Sequence, residues 1–144
     1  MHALFALIGC MGFVILFNIH GPGVILCALG GAVSWAIYLL ALKLGSGDIL
    51  AYFWSALFAS VYSETMARIR KYPAISYLVV SIFPMIPGAG AYYTMNYAVR
   101  GEMELFAQQG IHTIAIAGIL AVGILLGSTA FRMYSEWHNK RRVN

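Results

Sequence analysis

The chain has 144 residues, 61% of them hydrophobic and only 10% charged, with a mean hydropathy of +0.79. An ordinary soluble domain carries about a quarter charged residues, so this composition excludes one and indicates a single integral membrane domain over residues 1–144. The net charge of +4 comes from short Lys and Arg clusters beside apolar runs, with no basic face interleaved with exposed aromatics, and no nucleic-acid partner is expected.

The 14 charged residues leave long gaps: Met1 to Leu42, Ile49 to Ser63, Pro73 to Val99 and Ile111 to Phe131 carry none. A helix needs roughly 20 apolar residues to cross a hydrocarbon core of about 30 Å. That ruler predicts an all-α, polytopic membrane bundle of about five transmembrane helices, its partner in the first place being the lipid bilayer. The first span covers 1–17 and ends at the Gly21-Pro22-Gly23 turn. Leu7 to Cys10 faintly resembles a lipoprotein cleavage box, but no Lys or Arg precedes the cysteine, so the segment is expected to be retained. The second span, 24–42, stops at Lys43 and Gly45-Ser46-Gly47. Asp48 is expected to N-cap the third, 49–67, by accepting unpaired amides. The fourth, 74–99, is broken by Pro84 and Pro87-Gly88-Ala89-Gly90. Gly101 to Gly110 is polar enough to predict a loop or a short interfacial helix, and the fifth span covers 111–131.

Orientation follows from the basic residues, which stay cytoplasmic. Five spans put Arg68, Arg70, Lys71, Arg132, Lys140, Arg141 and Arg142 on one side and only Lys43 and Arg100 on the other. The N-terminus is therefore expected outside and the C-terminus inside. Tyr72, Tyr134 and Trp137 flank the basic clusters as interfacial aromatics do.

Small residues recur at helical spacing: Ala28, Ala32 and Ala36 on the second span, and Ala117 with Ala121 and Gly123 with Gly127 on the fifth. Close backbone approach drives helix association in lipid, so these rows mark packing, within the bundle or as a homo-oligomer seam. Cys10 and Cys27 lie in apolar runs and read as small buried hydrophobes. The four histidines lie at span ends, too scattered for a metal site, and are given no chemistry. No nucleophile–base pair, phosphate loop or ligand cluster appears; no enzyme, cofactor or metal is expected.

Two features carry chemistry. At the break, each proline removes a backbone donor, and Gly88 and Gly90 admit conformations a helix forbids, freeing carbonyls that cannot face lipid. Tyr92, Tyr93, Thr94 and Asn96 follow at once. Hydroxyl and amide groups beside freed backbone at about mid-membrane depth resemble the discontinuous helices of secondary transporters, so Pro84, Pro87, Gly88, Gly90, Tyr92, Tyr93, Thr94 and Asn96 are the candidate substrate-binding residues. Glu64 is the carboxylate placed within a span, a proton-carrier candidate by default. Arg68 lies four residues on, which favours a structural ion pair.

Through Phe83-Pro84-Met85-Ile86-Pro87-Gly88-Ala89-Gly90-Ala91-Tyr92-Tyr93-Thr94-Met95 the chain resembles the small, all-membrane subunit of the split threonine/serine exporter family. Pro-x-x-Pro-Gly-x-x-x-Tyr carries most of the likeness, supported by Phe17-Asn18, the small-residue helix around Ala28 to Ala32, and the basic stretch before Pro73. The resemblance implies a bacterial inner-membrane exporter of small polar metabolites, threonine or serine first, working with a larger membrane subunit of the same family. Related two-component systems are associated with dicarboxylate export, which is one alternative; a non-transporting assembly factor is the other.

Overall fold

The computed structural model describes residues 8–12, 14 and 23–143, and of these all side chains except those of residues 136 and 138–143. Every regular element among them is helical: α1 (Gly23–Lys43), α2 (Asp48–Arg70), α3 (Ala74–Ile82), a single 3-10 turn (Phe83–Met85), α4 (Gly88–Arg100) and α5 (Met103–Val143). The fold is an all-α bundle. Expected spans 24–42, 49–67, 74–99 and 111–131 fall on α1, α2, the α3–α4 line and α5. The span expected over 1–17 lies mostly outside the described residues, of which 8–12 and 14 are helical. By length and apolarity, α1 and Met103–Ser135 of α5 qualify as membrane-crossing, and the bent α3–α4 pair is apolar enough when its two helices are taken together, as a broken span or a re-entrant loop.

Two glycines end helices in the same way. After α1, the Gly45 amide donates to Leu42 O and the Ser46 amide to Ala41 O; after α4, Gly101 donates to Ala98 O and Glu102 to Tyr97 O. This pairing of the last carbonyls requires a left-handed residue, and Gly45 (φ 82°) and Gly101 (φ 75°) supply it without a Cβ penalty.

In place of the loop or short interfacial helix expected over Gly101 to Gly110, only Gly101 and Glu102 separate α4 from α5, and Met103 onward belongs to the long α5. Polarity alone suggested a loop, but Met103, Glu104, Leu105, Ala107 and Gln108 are strong helix formers, and the Phe106 amide donates to Glu102 O at once. Glu104 in the first turn also suits the positive helix end. At 41 residues, α5 is roughly 60 Å long.

α2 and α5 form the most extensive helix pair, and they run parallel. A Cβ placed on Gly123 falls 2.9 Å from Ala56 Cβ, and one on Gly127 falls 2.8 Å from Ser60 Cβ and 3.0 Å from Leu57 O. Glu64 meets Arg132 further along. The backbones touch because neither glycine carries a side chain. Ser60 Oγ donates across this seam to Ile124 O at 2.9 Å.

On α1 the contact row differs from the expected alanines. Ala28 is buried, but Ala32 is only half-buried and Ala36 exposed. The buried face is Cys27, Gly30, Gly31 and Ser34, where a Cβ on Gly30 would overlap Ser81 Oγ and one on Gly31 would overlap Cys10 Sγ. Ala117 and Ala121 on α5 are likewise exposed. Alanine spacing is ambiguous because alanine suits any helix face, whereas these glycines sit where only a hydrogen fits.

Candidate functional site

The break in the α3–α4 line begins with the 3-10 turn that contains Pro84. Ile86 is extended (φ −61°, ψ 124°) and Pro87 adopts φ −76°, ψ 54°. The Gly88 amide reaches back only two residues, to Ile86 O at 2.7 Å, an inverse γ-turn. The two helices diverge by 51°. Proline chemistry produces this: the ring at position 87 removes a donor and disfavours αR at residue 86. Gly88 and Gly90 do not adopt the forbidden conformations expected of them; both are helical, in the first turn of α4. Gly90 acts by size, since a Cβ there would lie 2.6 Å from Thr113 Oγ1 on α5.

Among the described residues, α4 packs extensively on α5 alone. Thr94 Oγ1 donates to Gly90 O and Thr113 Oγ1 to Gln109 O, each at 2.7 Å, so both hydroxyls are bonded within their own helices. Thr94 and Gly90 face α5, while Pro84, Pro87 and Asn96 are half-buried. Gly88 is open, and Tyr92 and Tyr93 point outward, ring to ring at 5.5 Å, with Tyr92 67% exposed. The expected site residues thus do not converge on one cavity. Met85, just before the break, clusters with Ala56 of α2 and with Ile116 and Leu120 of α5, between the middle of α2 and its Asp48 end.

Residues from three other elements gather at that end. Tyr38 OH donates to Asp48 Oδ1 at 2.8 Å, and His112 Nε2 lies 3.3 Å from Asp48 Oδ2. The Tyr38 ring packs on Trp35 at 5.1 Å and on Tyr52 at 4.6 Å, and Met85 reaches this aromatic cluster. The cap of α2 is Gly47, with no side-chain hydrogen bond. Asp48 is therefore not the N-cap expected from sequence; its carboxylate turns to Tyr38 and His112 instead. His112, read as inert, is drawn into this group, next along the chain from the Thr113 that meets Gly90. The buried Ser34 hydroxyl, Trp35 Nε1 and Ser81 hydroxyl have no hydrogen-bond partner among the described residues. Ser34 O accepts from Ser55 Oγ across the α1–α2 seam. Unpaired buried donors are costly in an apolar setting, and these lie on the elements that frame the break. The polar spacing Ser34, Trp35 and Tyr38 on an otherwise apolar helix was the available sequence signal.

At the other end of α2, Glu64 is buried and accepts from Arg132 Nε at 3.2 Å. The ion pair expected with Arg68 is replaced by this one, because the parallel register of α5 brings Arg132 alongside. Arg68 instead donates to Ser135 Oγ and lies over the Phe131 ring, 5.0 Å from its centroid. A separate groove between α1 and α2, lined by Ile37, Leu40, Trp54, Leu57, Phe58 and Val61, has the wrong chemistry for a polar solute.

Apolar helices of membrane-crossing length, one bent line interrupted at a proline pair, and a buried polar cluster beside it define an integral membrane protein of the helical-bundle class. A family model described as Threonine/Serine exporter, ThrE, matches residues 2–130, and the chain belongs to that family. It is a threonine/serine exporter-type transporter, embedded in a membrane and acting on a small-molecule substrate. No solved structure matches it.

Proposed function

We propose that the chain is the small subunit of a two-component exporter that moves threonine or serine out of the cell, across the bacterial inner membrane, with a larger membrane subunit of the same family. In this reading the chain crosses five times, N-terminus outside and C-terminus in the cytoplasm, and the interrupted α3–α4 line forms part of the pathway. One observation carries it: a 51° break stands beside buried Ser34, Trp35 and Ser81 groups that have no hydrogen-bond partner among the described residues. Polar groups of this kind at membrane depth belong where solute or water meets them.

The charge near the break favours an amino acid over a dicarboxylate. Asp48 is a carboxylate and would repel a dianion, and no Lys or Arg pairs with it among the described residues. The assembly-factor reading gains nothing from the glycine rows, because Gly123 and Gly127 are occupied by α2 of the same chain.

The test is efflux of labelled threonine from preloaded cells that carry the chain with its larger partner, or either alone. Export should require both, and serine should compete from inside while succinate does not. Export by the larger subunit alone at the full rate would refute the subunit role.

A further inference from the structure

Resting on the amino-acid reading above, we propose that Asp48, held between Tyr38 and His112, receives the ammonium group of the zwitterionic substrate. A carboxylate has about four lone-pair positions. Tyr38 donates to Oδ1 and His112 Nε2 lies 3.3 Å from Oδ2, which leaves at least one position on each oxygen. Those two open positions suit a primary ammonium, which offers three donors. The group is reachable: the side chains of Asp48 and His112 are 38% and 45% exposed. Among the described residues no Lys or Arg comes within ion-pair distance of Asp48, whose basic neighbour is His112.

The surroundings fit the same ligand. Trp35, Tyr38 and Tyr52 form a continuous aromatic wall beside the carboxylate, and aromatic faces attract an ammonium. The indole N–H of Trp35 is buried in that wall without a hydrogen-bond partner among the described residues. The site also adjoins the break, since His112 precedes the Thr113 that packs under Gly90 in the first turn of α4. The first turn of α4, where a carboxylate is welcome, thus packs on the same stretch of α5.

Two measurements test the assignment, both on the full chain with its larger partner. In efflux at matched membrane abundance, Asp48→Asn should export threonine about tenfold to a hundredfold more slowly, the range expected for losing a charged hydrogen bond. Asp48→Glu should recover part of the rate. In a thermal-shift titration of the purified parent, threonine and threonine amide should stabilise, while 3-hydroxybutanoate, which lacks the amino group, should not; in Asp48→Asn this preference should shrink. A purely structural role for Asp48 would weaken all three ligands alike and leave the preference intact. Parent-level export by Asp48→Asn, or equal stabilisation of the parent by 3-hydroxybutanoate and threonine, overturns the subsite. If Asp48→Asn does not accumulate, the analogue series on the parent and on Asp48→Glu decides. A parent complex that exports neither threonine nor serine removes the amino-acid reading itself, whereas a parent that exports them beside an equally active Asp48→Asn removes the subsite alone.

Discussion

Replacing Pro87 and Gly88 together by alanine asks whether the interruption of the α3–α4 line moves cargo. ψ stands at 124° at Ile86 and 54° at Pro87, against about −42° in a helix. Continuity would let the amides of residues 87 to 90 pair one turn back, where Gly88 now reaches only Ile86 O. Inside a helix proline costs about 3 kcal/mol and glycine about 1 kcal/mol relative to alanine. The pair therefore shifts the balance toward a straight helix by at most about 4 kcal/mol, an upper bound because Pro87 now sits at the start of α4, where proline is tolerated. Nothing stands within 4 Å of a Cβ at Gly88, so the new methyl there meets no clash. What resists straightening is the α4–α5 seam at Gly90 and Thr113. The double variant should accumulate and melt in detergent like the parent, while threonine efflux from preloaded cells at matched abundance falls at least about tenfold. Parent-level efflux in a well-assembled double variant would refute the reasoning and leave the break as a mere kink.

Gly127→Leu should lower the detergent melting temperature and weaken copurification of the larger subunit, because any side chain there meets Ser60 Cβ and Leu57 O. Overpacking of this kind costs about 1–3 kcal/mol or more, and an unchanged melt would show that the seam opens freely. Arg132→Ala should destabilise by about 1–3 kcal/mol, the cost of leaving the buried Glu64 carboxylate without its charged donor, and Glu64→Gln should cost less; equal melts for parent and Arg132→Ala would contradict the pair. Single cysteines near Gly45 and Gln108 should react with an impermeant thiol reagent in intact cells, and those near Lys71 and Arg141 only after permeabilisation. External labelling near Lys71 would overturn the five-span topology.

The helices were legible because charge-free runs of membrane length are a one-dimensional signal, and Lys43, Asp48, Arg70 and Arg100 punctuate them. The break was legible for the same reason, since proline and glycine act locally. Partners chosen across helices were not. Asp48 looked like a cap because only its own chain neighbours were in view, whereas Tyr38 and His112 reach it from α1 and α5. Glu64 had a plausible partner one turn away in Arg68, and lost it to Arg132 because the parallel α2–α5 seam was invisible in the string of residues. Met103 to Gly110 looked like a loop by polarity, while its helix propensity pointed the other way and prevailed.

The composition of α2 bears on how the protein is made. With Asp48, Glu64, Arg68, Arg70 and several serines along its length, it falls outside the helices apolar enough to cross alone. Its first support comes from α1: Ser55 Oγ bonds Ser34 O and Tyr62 OH bonds Leu26 O. Its remaining needs are met by α5, through Arg132, Ser135, Phe131 and Ile124 O, and α5 is translated after the other described helices. At about 5–20 residues per second a nascent chain spends several seconds with α2 half-satisfied. During that interval the α1–α2 hairpin exposes to the insertion machinery the same small-residue face that later receives Gly123 and Gly127. A ribosome stalled before α5 therefore leaves a membrane intermediate with a lone buried glutamate, a ready substrate for quality-control proteolysis.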